Sequence, residues 1–253
     1  MGFKIKTKEE IEIMAEGGRR LGEILASLAS EVRPGIGTAF FDTRSFALIK
    51  KAGCEPAFLN YRPTGAKKAY PATICVSIND VVVHGVPSKR VIEDGDIVSL
   101  DLGLKYKGWY VDAAVSVGAG KLDTKKYKLI AAAKNALELG IGQAMPGKTL
   151  GDIGCAIEKF VKQERFSIVE GLTGHGIGRE LHEEPAVFNF GKPGKGEPLK
   201  VGMVIAIEPM ISAGGAKIRQ LQDDSYAIAD GSLAAHFEHT IAITENGPRV
   251  LTK

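Results

Sequence analysis

The order of helical and strand-like segments predicts an α+β protein built in layers. Helix-period runs come in pairs split by a Pro-Gly break, and the pairing occurs twice along the chain. Runs rich in β-branched residues fill the intervening segments. Helices and strands fall in blocks, whereas a Rossmann fold would alternate them strictly. At 253 residues, 44% hydrophobic and 25% charged, the chain can bury a sizeable core without disulfide or metal staples.

Thr7-Lys-Glu-Glu10 fits a capping box, and Ile11, Met14, Leu21, Ile24, Leu25 and Leu28 follow at helical spacing as far as VRPGIG at 32–37. A second helix runs through Phe41, Phe46, Leu48 and Ile49 and ends near Gly53. Strand-like runs come next: ATICVSI and DVVVHGV within 72–86, DIVSLDLGL at 96–104 and WYVDAAVSVG at 109–118. The helical pair then returns as KKYKLIAAAKNALELGIGQAM, a break at PGKT (146–149), and LGDIGCAIEKFVKQERF. Laying Pro34 on Pro146 places Phe41 on Ile153, Leu48 on Phe160 and Ile49 on Val161. The expectation is one domain over 1–253, made of related halves at about 1–120 and 121–253. The strands MVIAIEPMI (203–211) and FEHTIAIT (237–244) complete the set.

The formal charge is only +3, and the lysines and arginines are spread out apart from short clusters such as Lys125-Lys126. No dense basic stripe or recognition motif is present, so no nucleic-acid partner is expected. Cys54, Cys75 and Cys155 are odd in number and far apart, which argues against a disulfide framework or structural zinc and for a reducing compartment. The start, MGFKIKTKEEIEIM, lacks the apolar run of a secretory signal, and no stretch approaches the roughly 18 apolar residues that span a bilayer. A cytoplasmic location without membrane contact is expected.

The acids are the informative residues. SLDLGLKYKGWYVDAAV has the pattern of a β-hairpin turning at Lys105 to Gly108, and with Tyr106 and Lys107 as loop residues Asp101 pairs with Asp112. Directly opposed carboxylates, with Cβ atoms about 5 Å apart, repel one another unless water screens them or a cation binds. Glu208 ends the apolar run MVIAI and Glu238 sits in HFEHTIAIT, each the lone acid of its strand. Ionised carboxylates in buried strands are costly unless paired or metal-bound. Together with a glycine-flanked His175, the four acids point to a metal site.

That histidine lies in TGHGIGRELHEEP (173–185). A zinc-protease helix is excluded, because Ala186 stands where the second histidine is needed and Pro185 would break the helix. Dinucleotide and P-loop glycine spacings are absent too. His175 and His182 are seven residues apart, an odd step that would point them to opposite faces of an extended chain. One histidine is then free to bind metal and the other to meet substrate.

Assembled, these residues resemble the type I methionine aminopeptidases. The matching stretches are SINDVVVHGVP (77–87), DIVSLDLGLKYKGWYVDAAVSVG (96–118), GHGIGRELHEEP (174–185), AIEPM (206–210) and AAHFEHTIAIT (234–244). The resemblance implies a pita-bread fold of two pseudo-symmetric halves, an antiparallel sheet covered by helices. It makes Asp101, Asp112, His175, Glu208 and Glu238 ligands of two divalent ions (cobalt, manganese, iron or zinc), with Asp112 and Glu238 bridging. Such ions share an activated hydroxide that attacks the first peptide bond, and Glu208 matches the residue thought to pass its proton to the leaving amine. His84 and His182 would stabilise the tetrahedral intermediate and contact the peptide backbone. Tyr70 and Cys75 match positions of the methionine pocket.

The resemblance also implies substrates: N-terminal methionines of nascent polypeptides with a small second residue, met near the ribosome by a monomeric enzyme. Beginning Met1-Gly2, the chain would be its own substrate. It departs from common relatives at Leu181, where phenylalanine is frequent, in DDSYAIADGS (223–232), where a tryptophan is frequent, and in NYRPTGAKKAYP before the pocket.

Overall fold

The computed structural model describes residues 4–62 and 68–253. Met1-Gly2 and the centre of NYRPTGAKKAYP lie outside the described residues. Along the chain come α1 (Lys8–Ser30), α2 (Ala39–Lys51), β1 (Glu55–Pro56), β2 (Cys75–Ile78), β3 (Val81–Val83), β4 (Ile97–Tyr106), β5 (Trp109–Gly118), α3 (Thr124–Gln143) and α4 (Leu150–Gln163). Short strands dominate thereafter: β6 (Ser167–Ile168), β7 (Gly174–Gly176), β8 (Glu183–Val187), β9 (Val204–Ile207), β10 (Met210–Ser212), β11 (Ile218–Gln220), β12 (Tyr226–Ile228), β13 (Ala234–His236), β14 (Glu238–Thr244) and β15 (Gly247–Val250).

The helices begin where local chemistry starts them. Glu10 N–H donates to the Thr7 hydroxyl (3.3 Å) and Thr7 N–H to the Glu10 carboxylate (2.9 Å), closing the expected capping box of α1. Ahead of α4, the Thr149 N–H and hydroxyl both donate to Asp152 at 2.8 Å. Both Pro-Gly breaks are turns, with Gly35 and Gly147 at φ 89° and 84°. Two residues beyond each glycine stands an isolated antiparallel bridge, Gly37 to Val91 and Thr149 to Pro198. The repeated Pro-Gly pattern is therefore present in the backbone as well as in the letters.

Among the described residues, nine strands form one sheet with the path β1-β4-β5-β14-β9-β7-β8, on which β2 joins β4 and β15 joins β14. Three-stranded sheets β13-β10-β6 and β11-β12-β3 complete the architecture. Val98, Leu100, Leu102, Leu104, Val111 and Ala113 make one face of the β4–β5 hairpin and pack with Met14, Leu21 and Leu28 of α1 into the first core. A second core joins Leu129, Ala133 and Leu137 of α3 and Ile153 and Ile157 of α4 to Ile205, Ile207 and Ile241.

The hairpin register differs from the sequence expectation. Tyr106 pairs with Trp109, Asp101 with Ala114, and Asp112 with Gly103. Lys107 (φ 47°) and Gly108 (φ 81°) form the two-residue loop with both residues left-handed, as type I′ turns require. The shift is two residues, so the two aspartates keep a common face but are diagonal neighbours, not directly opposed. MVIAIEPMI is likewise two strands in different sheets, because Pro209 has no N–H to continue the ladder past Glu208.

Candidate metal centre

Cross-strand pairing draws three of the four acids into one row on the sheet face opposite α1, with Asp112 diagonal to Asp101 on the same face. Cys75 faces Asp101, Asp101 faces Ala114, and Ala114 faces Glu238. His239 pairs with Ile207 and Met210 with His236, so the register between these pairs sets Glu208 opposite Glu238. Among these four acids, the directly opposed pair is thus the two glutamates. Ala114, lacking bulk, leaves room between Asp101 and Glu238.

Flanking rows fix the frame. β5 and β14 pair in register only at Ala114–Glu238 and Ala113–His239, and side-chain hydroxyls extend the seam at both ends. The Thr240 hydroxyl accepts from Asp112 N–H (3.0 Å) and donates to the Asp112 carbonyl (2.8 Å). The Ser116 hydroxyl accepts from His236 N–H (2.8 Å), and its Oγ lies 2.9 Å from the His236 carbonyl and 2.7 Å from the Ser99 hydroxyl. Asn189 donates its amide to the Glu208 carbonyl at 3.0 Å.

Asp101, Asp112, Glu208 and Glu238 are all buried, between 2% and 9% exposed. Among the described residues, no lysine or arginine forms an ion pair with any of them. Burial, reinforced by mutual repulsion, pushes Asp101, Glu208 and Glu238 well above the usual carboxylate range. Asp112 is pushed up to about 7 by burial, with the Ala113 N–H and the Asp101 carboxyl pulling the other way. Asp101 Oδ1, Glu238 Oε1 and both ring nitrogens of His236 are buried without any hydrogen-bond partner. Unsatisfied buried acceptors in a cluster of like charges fit bound cations, and four carboxylates balance two dications. Ligand atoms of Asp112, His175 and Glu238 lie within 4.8 Å of one another, as do those of Glu208, His236 and Glu238. Carboxylates with imidazole suit manganese, iron, cobalt or zinc alike.

His175 comes from β7, where its Nδ1 meets the Gly176 carbonyl at 2.9 Å. A carbonyl only accepts, so Nδ1 carries the proton and Nε2 presents its lone pair, 3.5 Å from Glu208 Oε1. Burial lowers the His175 pKa to about 4, keeping the ring neutral. The expectation that His175 and His182 point to opposite faces is wrong. The chain reverses between Gly176 and Glu183, which pair across β7 and β8, and the two rings meet edge to face with centroids 4.4 Å apart. Burial, with His175 and His84 adding to it, lowers His182 to about 3.

His182 Nδ1 is engaged by the Tyr61 hydroxyl at 2.8 Å. Both rings line a cavity of about 390 Å³ with Tyr110, Arg179 and Leu181. His84 has left-handed backbone (φ 60°), stacks edge-on against Tyr226 and influences both His182 and His236. Tyr226 belongs to the divergent DDSYAIADGS segment, so that segment supplies the aromatic neighbour of His84. The Tyr70 hydroxyl sits on the carbonyls of Ile74 (3.1 Å) and Gly85 (2.9 Å), and Cys75 is buried beside Asp101.

The five expected ligands therefore converge, with His182 and His84 beside them. Tyr61, Asn189 and His236 were not anticipated. His236 was hidden inside HFEHTIAIT, where Glu238 drew notice as the lone acid, although a polar residue two positions from it on one strand face was a usable signal.

The description of metallopeptidase family M24 matches residues 12–245. The chain is 41% identical over 249 residues to methionine aminopeptidase 1 of Bacillus subtilis, covering 98% of each protein. It is 43% identical over 258 residues to the methionine aminopeptidase of Aquifex aeolicus, covering 100% of each. The crystal structure of methionine aminopeptidase from Thermotoga maritima superposes with a TM-score of 0.94 at 40% identity, covering 100% of both chains. The curled antiparallel sheet covered by helices is the α+β pita-bread fold of these peptidases. With that fold and a buried cluster of carboxylates and imidazole in place, the chain belongs to the methionine aminopeptidases of metallopeptidase family M24.

Proposed function

We propose that this chain is a methionyl aminopeptidase that hydrolyses the first peptide bond of proteins and peptides beginning with methionine and a small second residue. The observation that carries the mechanism is the row of buried carboxylates with partnerless oxygens, reached beside His182. Asp101, Asp112, His175, Glu208 and Glu238 would hold two divalent ions. Bound there, such ions supply Lewis acidity toward the scissile carbonyl and lower the pKa of water.

The chain's own residues do the rest. Glu208 has one oxygen toward His175 and the other toward His236, which suits it to take a proton from water and return it to the leaving amine. Tyr61 occupies His182 Nδ1, leaving Nε2 to meet the substrate backbone. Desolvation against the protein wall, with His175 and His84 nearby, keeps His182 neutral, so it acts as a hydrogen-bonding group and not as a charge. His84, held against Tyr226 and near enough to His182 to influence it, serves the tetrahedral intermediate. Tyr70 and Cys75 belong to the wall near the methionine side chain. No described helix is long and apolar enough to cross a membrane, and the proposed setting is the cytoplasm, as a monomer acting on emerging N-termini.

The test is methionine release from Met-Gly and Met-Ala peptides by chelator-treated enzyme, with manganese, iron, cobalt or zinc added singly and an Xaa-Pro peptide in parallel. Metal-dependent release from the methionyl peptides alone is expected. Folded, metal-loaded protein that releases no methionine overturns the reading.

A further inference from the structure

His236 stands out among buried groups that no proposed role absorbs. It is 1% exposed, and neither ring nitrogen has a hydrogen-bond partner. Its place is set twice over: the backbone is held by Ser116 from β5 and paired with Met210 of β10. Being two residues before Glu238 on an extended chain, it projects to the same face as that glutamate. Its Nε2 lies 3.5 Å from Glu208 Oε2, while His175 Nε2 lies 3.5 Å from Glu208 Oε1. The two oxygens of one carboxylate are thus divided between two imidazoles. His175 faces Oε1 with a lone pair, its proton being fixed on Nδ1. His236 has no partner that fixes its tautomer, so its proton is free to sit on Nε2.

We propose that His236 is a positioning residue of the metal centre, donating Nε2–H to Glu208 Oε2 so that Oε1 is held on the His175 side. A contraction of about half an ångström brings the pair to ordinary hydrogen-bond length. Ligating carboxylates are commonly held by such outer partners, and losing one costs about 10–100-fold in metal affinity or activity. The inference rests on the metal-centre reading above.

The experiment compares the whole chain with His236→Leu, which keeps bulk without a donor, His236→Gln, which keeps an N–H donor of similar reach, and His236→Asn, whose donor is too short. Manganese affinity of the chelator-treated proteins is measured by titration calorimetry, with kcat and KM for a Met-Ala peptide alongside. His236→Leu and His236→Asn are expected to weaken manganese binding and lower kcat about 10–100-fold with KM changed less than about threefold. His236→Gln should recover both to within about threefold.

Equal loss in the Gln and Leu variants, or no loss in either, overturns the proposal. Should the Leu variant not fold, the Asn and Gln pair decides by the same criteria. Nitrogen modulation in the electron spin echo of bound manganese counts imidazoles directly. One coordinated imidazole in all proteins supports positioning, and a second that disappears in His236→Leu overturns it. Failure of the wild type itself to bind manganese would instead defeat the metal-centre reading.

Discussion

Without metal, Asp112 should make the protein less stable as the pH rises, and Asp112→Asn should remove that dependence. Asp112 is 3% exposed and, without a cation, its pKa is raised from 3.8 to about 7, burial being the main cause. An acid whose folded pKa is raised favours the folded state while protonated. Its contribution is fully present below about pH 4 and disappears as the pH climbs through about 7. A shift of about three units corresponds to about 4 kcal/mol, or a melting shift near 10 °C for a chain of this size. Asparagine keeps the shape and cannot ionise. In chelator, urea unfolding from pH 4 to pH 8 should therefore show the wild type losing about 4 kcal/mol relative to Asp112→Asn. Saturating manganese should close that gap at pH 8, because the wild type gains about 4 kcal/mol at a thousandfold excess over Kd. Parallel pH curves for the two proteins in chelator would refute the reasoning.

Other outcomes follow from single contacts. Tyr61→Phe removes the hydroxyl on His182 Nδ1 and should lower kcat/KM about fivefold, the equivalent of about 1 kcal/mol, with manganese affinity by calorimetry unchanged. Ala114→Val adds methyl groups to the row between Asp101 and Glu238 and should weaken manganese binding about tenfold or more. Ala113→Val, on the opposite face, should cost stability without changing that affinity, and equal affinity losses would contradict the row. Lys6 and Glu183 form a buried ion pair at 2.8 Å, and Glu183 also accepts the Arg179 and Glu180 N–H groups beside His182. Lys6→Met leaves that carboxylate uncompensated and should cost about 3–5 kcal/mol in urea unfolding; a loss below about 1 kcal/mol would show the charge to be solvated.

The local chemistry of the chain was readable because it is written over short spans. The Thr7 capping box, the Pro-Gly turns and the apolar face of β4 and β5 all follow from neighbours a few residues apart. The clustered acids were visible as carboxylates interrupting apolar strands, a pattern that burial without a counter-ion does not tolerate. Geometry between segments was less accessible. The hairpin register turned on whether Lys107 would adopt a left-handed conformation beside Gly108, which no apolar pattern decides. The meeting of His175 and His182 depended on a chain reversal in GIGRELHE that side-chain alternation cannot express. His236 was passed over despite sharing a strand face with Glu238, because the partner of its ring, Glu208, was known only as the end of a distant strand.

The narrow seam between β5 and β14 sets an order of assembly. The β4–β5 hairpin closes on itself and can form early with Asp101 and Asp112 in place. Thr240, which clamps the Asp112 backbone, is 128 residues further along the chain, and Glu208 and Glu238 arrive in the same late stretch. During synthesis the hairpin therefore offers two carboxylates, and the full cluster of four acids exists only once residue 238 has been made. Completion of the acid cluster is a closing event of biogenesis, and an interrupted chain that stops short of it carries the first aspartates without their partner glutamates.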